Sequence, residues 1–284
     1  MAGFKNLRDF NAALTGGRYH WAQIRKAPSQ ATIAGWWSDL SMAAGNPKPN
    51  YYASTPLTAA VLDGQDGIFH GANKDPQTMH LTGMGLVSPT AGFVGQFTLC
   101  DYLLFYPFVD GDETSAQAMT NVVTLPRYTD GDGVQVMAVC VAPTTGSGTF
   151  NFEYINQAGN PKTSPTQILS TTAANIGQIA TSQQAIGGTG PFLKLDSGDT
   201  GVRSVTAVNI LVPNGGLLCM VLVRPLGNLA IREINTMSEI EYVSKRAGCP
   251  RIYDGAYLNL LCNTSATIAA GTLAGWFSFA WSES

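Results

Sequence analysis

The chain reads as all-β: a jelly-roll-like antiparallel sandwich preceded by an extended N-terminal arm. Three observations predict it. Between Leu125 and Pro165 the sequence alternates strand and turn, with Phe150, Phe152 and Tyr154 on one face of a period-2 pattern and Asn151 and Glu153 on the other. The flanking segments TTGSG (Thr144–Gly148) and QAGNPK (Gln157–Lys162) supply turn residues. From Thr58 onward, about nine or ten such runs are divided by glycine-rich turns with no long helices between them, which is the pattern of a sandwich.

The elements follow in order. Phe4, Leu7, Phe10 and Leu14 have helical spacing, and Gly16 and Gly17 end that helix. A second helical turn or two is expected over Ala31–Leu40. Gly45–Pro56 holds three prolines in its twelve residues (GNPKPNYYASTP), which favours extended backbone. Residues 1–55 are therefore divided from a body at 56–284. Two readings of that segment stay open: an arm lying on a partner's surface, or a segment folded back on its own sheet.

The predicted strands are Phe93–Phe108 with a bend, Asn121–Leu125, Val134–Val141, Thr149–Ile155, Pro191–Leu195, Val202–Val212, Leu217–Val223, Ala256–Cys262 and Gly275–Trp281. The PNGG element (Pro213–Gly216) predicts a tight hairpin. Partial helical spacing of Ile231, Ile234 and Met237 predicts a helical insert over Leu229–Val243. Val134–Val141 is apolar on both faces, so the arm or a neighbouring subunit must cover it.

Composition narrows the function. Of 284 residues 12% are charged, about half the roughly 25% usual for soluble domains, and 45% are hydrophobic. Such a surface predicts covering by partner subunits. The net charge of −3 argues against a nucleic-acid partner. It divides unevenly: residues 1–50, with Lys5, Arg8, Arg18, Arg25, Lys26 and Lys48 against Asp9 and Asp39, carry +4, and the rest carries −7. No stretch predicts a secretory signal or a membrane span, so synthesis in a cytosol is expected.

Chemical motifs are sparse. Five cysteines form no C-x-x-C pair; Cys100, Cys140, Cys219 and Cys262 sit in apolar runs and are expected reduced and buried, with Cys249 in a loop. His20, His70 and His80 are too scattered for a zinc signature. DGDE (Asp110–Glu113) and DGDG (Asp130–Gly133) alternate carboxylates as a calcium loop does. They lack its glycine and glutamate, having Ser115 and Asn121 after the first and Gln135 and Val141 after the second. Ser147 lacks the frame of a nucleophile elbow, and GGTG (Gly187–Gly190) lacks the lysine and helix of a phosphate cradle. No catalytic, cofactor or metal residue is predicted. Trp36, Trp37, Asn46, Pro47, Pro49, Tyr51 and Tyr52 are the expected docking residues, since aromatics lead among interface anchors.

At LPRYTDGDGVQVM (Leu125–Met137), YINQAGNPKTS (Tyr154–Ser164) and NPKPNYYASTPLTA (Asn46–Ala59) the chain resembles structural proteins of tailed bacteriophage virions, among them capsid decoration or cement proteins. The resemblance covers most of the chain through turn and strand signatures and carries over no catalytic site. It implies a place in a particle; the reading expected on that basis is a non-enzymatic decoration or cement protein, assembled in the host cytoplasm, that associates with itself, most simply as a trimer, and with the major capsid protein. A neck or tail component is the alternative. From another class, a host-glycan-binding β-sandwich would be marked by exposed aromatics with facing carboxylates on the body.

Overall fold

The computed structural model describes residues 4, 6–28, 31–73, 77–183, 190–244 and 248–282. One helix, α1 (Leu7–Thr15), opens the chain, with Asn6 accepting the Asp9 N–H at its N-terminus. The strands then run β1 (Tyr19–Ala27), β2 (Trp37–Asp39), β3 (Ala44–Asn46), β4 (Ala60–Val61), β5 (Thr78–Val87), β6 (Gly95–Asp110), β7 (Gln117–Ala118), β8 (Gln135–Ala142) and β9 (Thr149–Asn156). They continue as β10 (Pro161–Thr163), β11 (Gln167–Ile168), β12 (Val202–Val212), β13 (Leu217–Ile231), β14 (Ser238–Glu241), β15 (Arg251–Ile252), β16 (Tyr257–Thr264) and β17 (Leu273–Ser282). The expected all-β antiparallel sandwich class is what forms.

The strands are distributed over three sheets where the sequence predicts the two of a jelly roll. The first has the order β14-β5-β17-β1-β3, with β15 also on β5. The central sheet runs β2-β16-β6-β13-β8, with β4 on β6, and the third β10-β9-β12-β7, with β11 on β9. The long strands β6 and β13 organise the molecule. Phe97, Leu99, Leu258 and Leu260 pack with Leu81, Met84, Phe277 and Phe279 of the first sheet. Farther along, Leu104, Tyr106, Leu218, Met220 and Leu222 pack with Phe150, Phe152, Tyr154 and Val208 of the third. The alternate residues Cys219, Val221 and Val223 meet Trp37, Met42, Tyr52 and Ile179 on the opposite side. A register shift between Leu222 and Val223, opposite Leu104 and Tyr102, leaves Leu103 as a bulge within β6.

Of the two readings of residues 1–55, the structure has the segment folded back on its own body. β1 pairs with β17 from Tyr19↔Ala280 to Lys26↔Leu273, closing an edge that would otherwise be open. β2 pairs with β16. The accessible surface, 11952 Å², is close to the roughly 11,700 Å² of a compact chain of this mass, and among the described residues no long arm projects.

Several elements differ from expectation. Ala31–Leu40 is not helical: it holds β2 and the start of a 3-10 turn at Leu40–Met42. Leu229–Val243 is not helical either: β13 continues its ladder to Ile231↔Gly95, a turn with Asn235 at φ 59° follows, and β14 begins at Ser238. Only Ile231 of the supposed helical stripe is buried, and Ile234 and Met237 are exposed. PNGG is no hairpin. β12 and β13 belong to different sheets, and Gly215 and Gly216, at φ 67° and 71°, carry the chain between them. Asn121–Leu125 and Pro191–Leu195 form no strand; Asn121 instead bonds its side chain to both backbone groups of Ala59. β8 is apolar on both faces as expected. Its cover is internal: Val136 and Ala138 meet the third sheet, while Met137 and Val139 meet the cluster containing Trp37 and Ile179. Lys5 and Gly187–Thr189 lie outside the described residues.

Candidate functional site

The predicted docking residues do not form one surface. Trp36 is buried with Cys140 and Ala174, Trp37 packs on the central sheet, and Tyr52 is fully buried. Pro47 is buried and Pro49 half-buried. Asn46 is exposed on β3, its side-chain amide donating to the Gln23 carbonyl. Tyr51 is 58% exposed. It borders a cleft of about 370 Å³ lined also by Pro28, Met42, Ala53, Phe108 and Ile176.

What holds this segment down is a buried polar network. The Asp39 carboxylate accepts bonds from the Ser41 N–H (2.8 Å), Ser41 Oγ (2.7 Å) and the hydroxyls of Tyr102 (2.7 Å) and Tyr52. Burial raises the Asp39 pKa despite these donors, and it raises the Tyr52 and Tyr102 hydroxyls as well. Lys26, also buried, donates from Nζ to the carbonyls of Ala43 (3.1 Å) and Pro47 (2.7 Å). Burial pulls its pKa down to about 8, against the attraction of Asp39.

The neighbouring residue on β6 is the centre of a second network. Arg127 grips Asp101 with two bonds, 2.9 Å from Nε and 2.8 Å from Nη2, and donates from Nη2 to the Tyr102 carbonyl (2.8 Å). The Tyr257 N–H completes the carboxylate's shell at 3.1 Å. Burial lifts Asp101 to about 6, against the pull of the guanidinium. Perturbed groups of this kind mark catalytic sites when they line an open cleft. Asp39 is among the residues that line the cleft beside Tyr51, and each oxygen of both carboxylates is taken by a protein donor.

The remaining motifs are tied into turns. His70 and His80 are buried, each with one ring nitrogen 3.0–3.1 Å from a carbonyl oxygen, of Ala256 and Thr78 respectively. Asp110 accepts from the Asp112 N–H (2.9 Å), Asp112 from the Gly215 N–H (2.9 Å), and Asp132 from Thr200 Oγ1 (2.6 Å), so the acidic loops fasten themselves and their neighbours. Among the described residues no group of three or more His, Cys, Asp or Glu is placed to hold a metal ion. Cys100, Cys140, Cys219 and Cys262 are buried and unpaired, and Cys249 is half-buried.

Sequence reasoning passed over one cluster. On the outer face of the first sheet, Tyr19 and Trp21 project from β1, Trp276 and Ser278 from β17, and Glu239 and Glu241 from β14. With Phe10 and Leu14 of α1 they line a groove of about 470 Å³. The alternation of YHWAQIRKA, with Tyr19, Trp21, Gln23 and Arg25 exposed against Ala22, Ile24 and Lys26 buried, was the signal for half of it. The facing half lies more than 200 residues away in sequence.

No family model matches the chain, and no curated protein matches it. Among solved structures, VP2 of infectious bursal disease virus in T=1 particles aligns over 92% of this chain and 77% of that chain, with 8% identity and a TM-score of 0.16. The VP2 subviral particle of the same virus aligns over 92% and 80%, with 9% identity and a TM-score of 0.14. Similarity this low leaves fold and function to rest on the chain's own residues. Among the described residues no helix is long and apolar enough to cross a membrane.

Proposed function

We propose that the chain is a non-enzymatic structural protein of a virus particle, a decoration or cement protein that binds the major capsid lattice as a homo-oligomer, trimeric in the simplest case. The observation that supports a structural reading is the disposition of the ionisable groups. The perturbed carboxylates Asp39 and Asp101 have their oxygens taken by protein donors, and these bonds staple the N-terminal segment and the central sheet together. The resemblance of its turn and strand segments to structural proteins of tailed-phage virions supports a particle as the setting. Self-association no longer needs β8, which the chain covers itself; its support is the low charge and the exposed apolar side chains Phe69, Val122 and Tyr51.

Docking then centres on Tyr51 and the cleft beside it, which is shaped to accept an apolar side chain from a partner. Tyr51→Ala should weaken attachment to capsids lacking the protein by roughly 2 kcal/mol, the loss typical of an interface anchor. The folded chain itself should change by less than about 0.5 kcal/mol, as at most exposed positions. Co-sedimentation with such capsids reads the first and thermal melting the second. Saturation of capsids by the variant at unchanged affinity would remove Tyr51 from the interface, and failure of the unaltered chain to co-sediment at all would remove the capsid reading itself.

A further inference from the structure

The groove on the outer face of the first sheet takes no part in the capsid reading. Its floor is built by register. Glu241, Gly83, Ser278 and Trp21 are aligned across four strands, and Glu239, Gly85, Trp276 and Gln23 form the adjacent row. Gly85 lets an indole lie on the backbone: a Cβ there would stand 2.6 Å from Trp276 Cε2. Trp21 leans on Trp276 with ring centroids 4.7 Å apart and planes at 36°, and remains 55% exposed. Tyr19 extends the aromatic face along β1, and the exposed carboxylates of Glu239 and Glu241 stand on the opposite border.

We propose that this groove binds carbohydrate, specifically oligosaccharides of neutral or amino-bearing pyranoses. A pyranose ring offers an apolar C–H face on one side and hydroxyl donors around its rim. The exposed indole face of Trp21 matches the first by dispersion and removal of apolar surface from water. The carboxylates of Glu239 and Glu241 match the second, since hydroxyl bonds to an ionised acceptor are among the stronger ones. The same two charges repel uronate and sialyl groups. A cation held by ring faces is the other chemistry that aromatics and carboxylates suit. It is disfavoured by the ring geometry, because Trp21 and Trp276 lean on each other at 4.7 Å and so do not open into walls that box in an ammonium group.

Isothermal titration calorimetry on the full chain tests this with N-acetylchitohexaose, cellohexaose, maltohexaose and a chitosan hexamer, against oligogalacturonate, tetramethylammonium and pentalysine. At least one of the first four should bind saturably and oligogalacturonate should not. Trp21→Ala should weaken that binding by about tenfold, equivalent to about 1.4 kcal/mol, with an unchanged melt. Glu239→Gln with Glu241→Gln should also weaken it and admit the acidic glycan. The proposal is overturned if none of the four binds, if binding ignores Trp21→Ala, or if tetramethylammonium or pentalysine binds in preference. Trp21→Ala should leave capsid co-sedimentation unchanged, so the groove and the capsid reading fail separately.

Discussion

Two adjacent residues of β6 place the molecule's buried carboxylates in opposite kinds of environment. Asp101 faces a fixed cation, the Arg127 guanidinium, in a two-bond grip. Tyr102 points to the other network, where Asp39 is held by hydroxyls and one N–H, and the nearby Lys26 donates to the carbonyls of Ala43 and Pro47 in the N-terminal segment. The first network ties strands of the body together; the second ties residues 26–52 onto the body. A charge compensated by charge and a charge compensated by neutral donors respond differently to mutation and to pH, and that difference is open to test.

The largest effect should come from removing the attached segment outright. Deleting residues 1–55 strips β1 from β17 and takes Trp37, Met42 and Tyr52 off the central sheet. The remainder should lose its cooperative melt by circular dichroism, and a soluble, cooperatively melting remainder would show that the hydroxyl network only decorates a self-sufficient body. Next in size is Arg127→Met. It leaves Asp101 buried without its cation and should cost about 3–5 kcal/mol, whereas adding Asp101→Leu should recover most of the loss, because an apolar pair avoids the desolvation of both charges. Urea denaturation of the single and double variants reads both values. A single variant as stable as the parent would mean that Asp101 is held neutral and does not need its arginine.

The smallest effect is the pH slope of the hydroxyl network. Because the folded-state pKa of Asp39 is raised, the folded chain binds a proton that the unfolded chain releases, between the unfolded value near 4 and the higher folded value. Stability contributed by this group is therefore present at low pH and lost as pH rises through that window. Asp39→Asn removes the dependence, so the parent should gain stability relative to the variant as pH falls from 7 towards 4. Asp101, raised to about 6, acts with the same sign in both proteins, and His70 and His80, lowered by burial, act with the opposite sign in both. Paired melts across that range isolate Asp39, and parallel curves would show that its ionisation does not differ between the folded and unfolded states.

Much of the fold was legible in local pattern. Val202–Val212 coincides with β12, Thr149–Ile155 with β9 to within one residue, and Gly16 closes α1 as the spacing required. Two central strands were not read. β1 carries a buried lysine near its end, and β5, with its histidine and two glycines, does not look like a core strand until Trp276 is seen lying on Gly85. The docking set shows the same limit. Aromatic type suggested anchoring, and Trp36, Trp37 and Tyr52 do anchor, but within their own chain.

The sequence by itself determined where the chain is extended, where it turns and which side chains alternate, because a period of two and a glycine at positive φ are properties of neighbouring residues. Only the tertiary structure decided which strands share a sheet, that PNGG crosses between sheets, and that residues 1–55 join the body. It also brought Trp21 to Trp276 and faced both with Glu239 and Glu241. Those outcomes pair residues such as Lys26 and Leu273, almost the whole chain apart. They follow from burying the combined apolar surface while pairing the interior backbone donors and acceptors, a condition on the whole molecule that no local window contains.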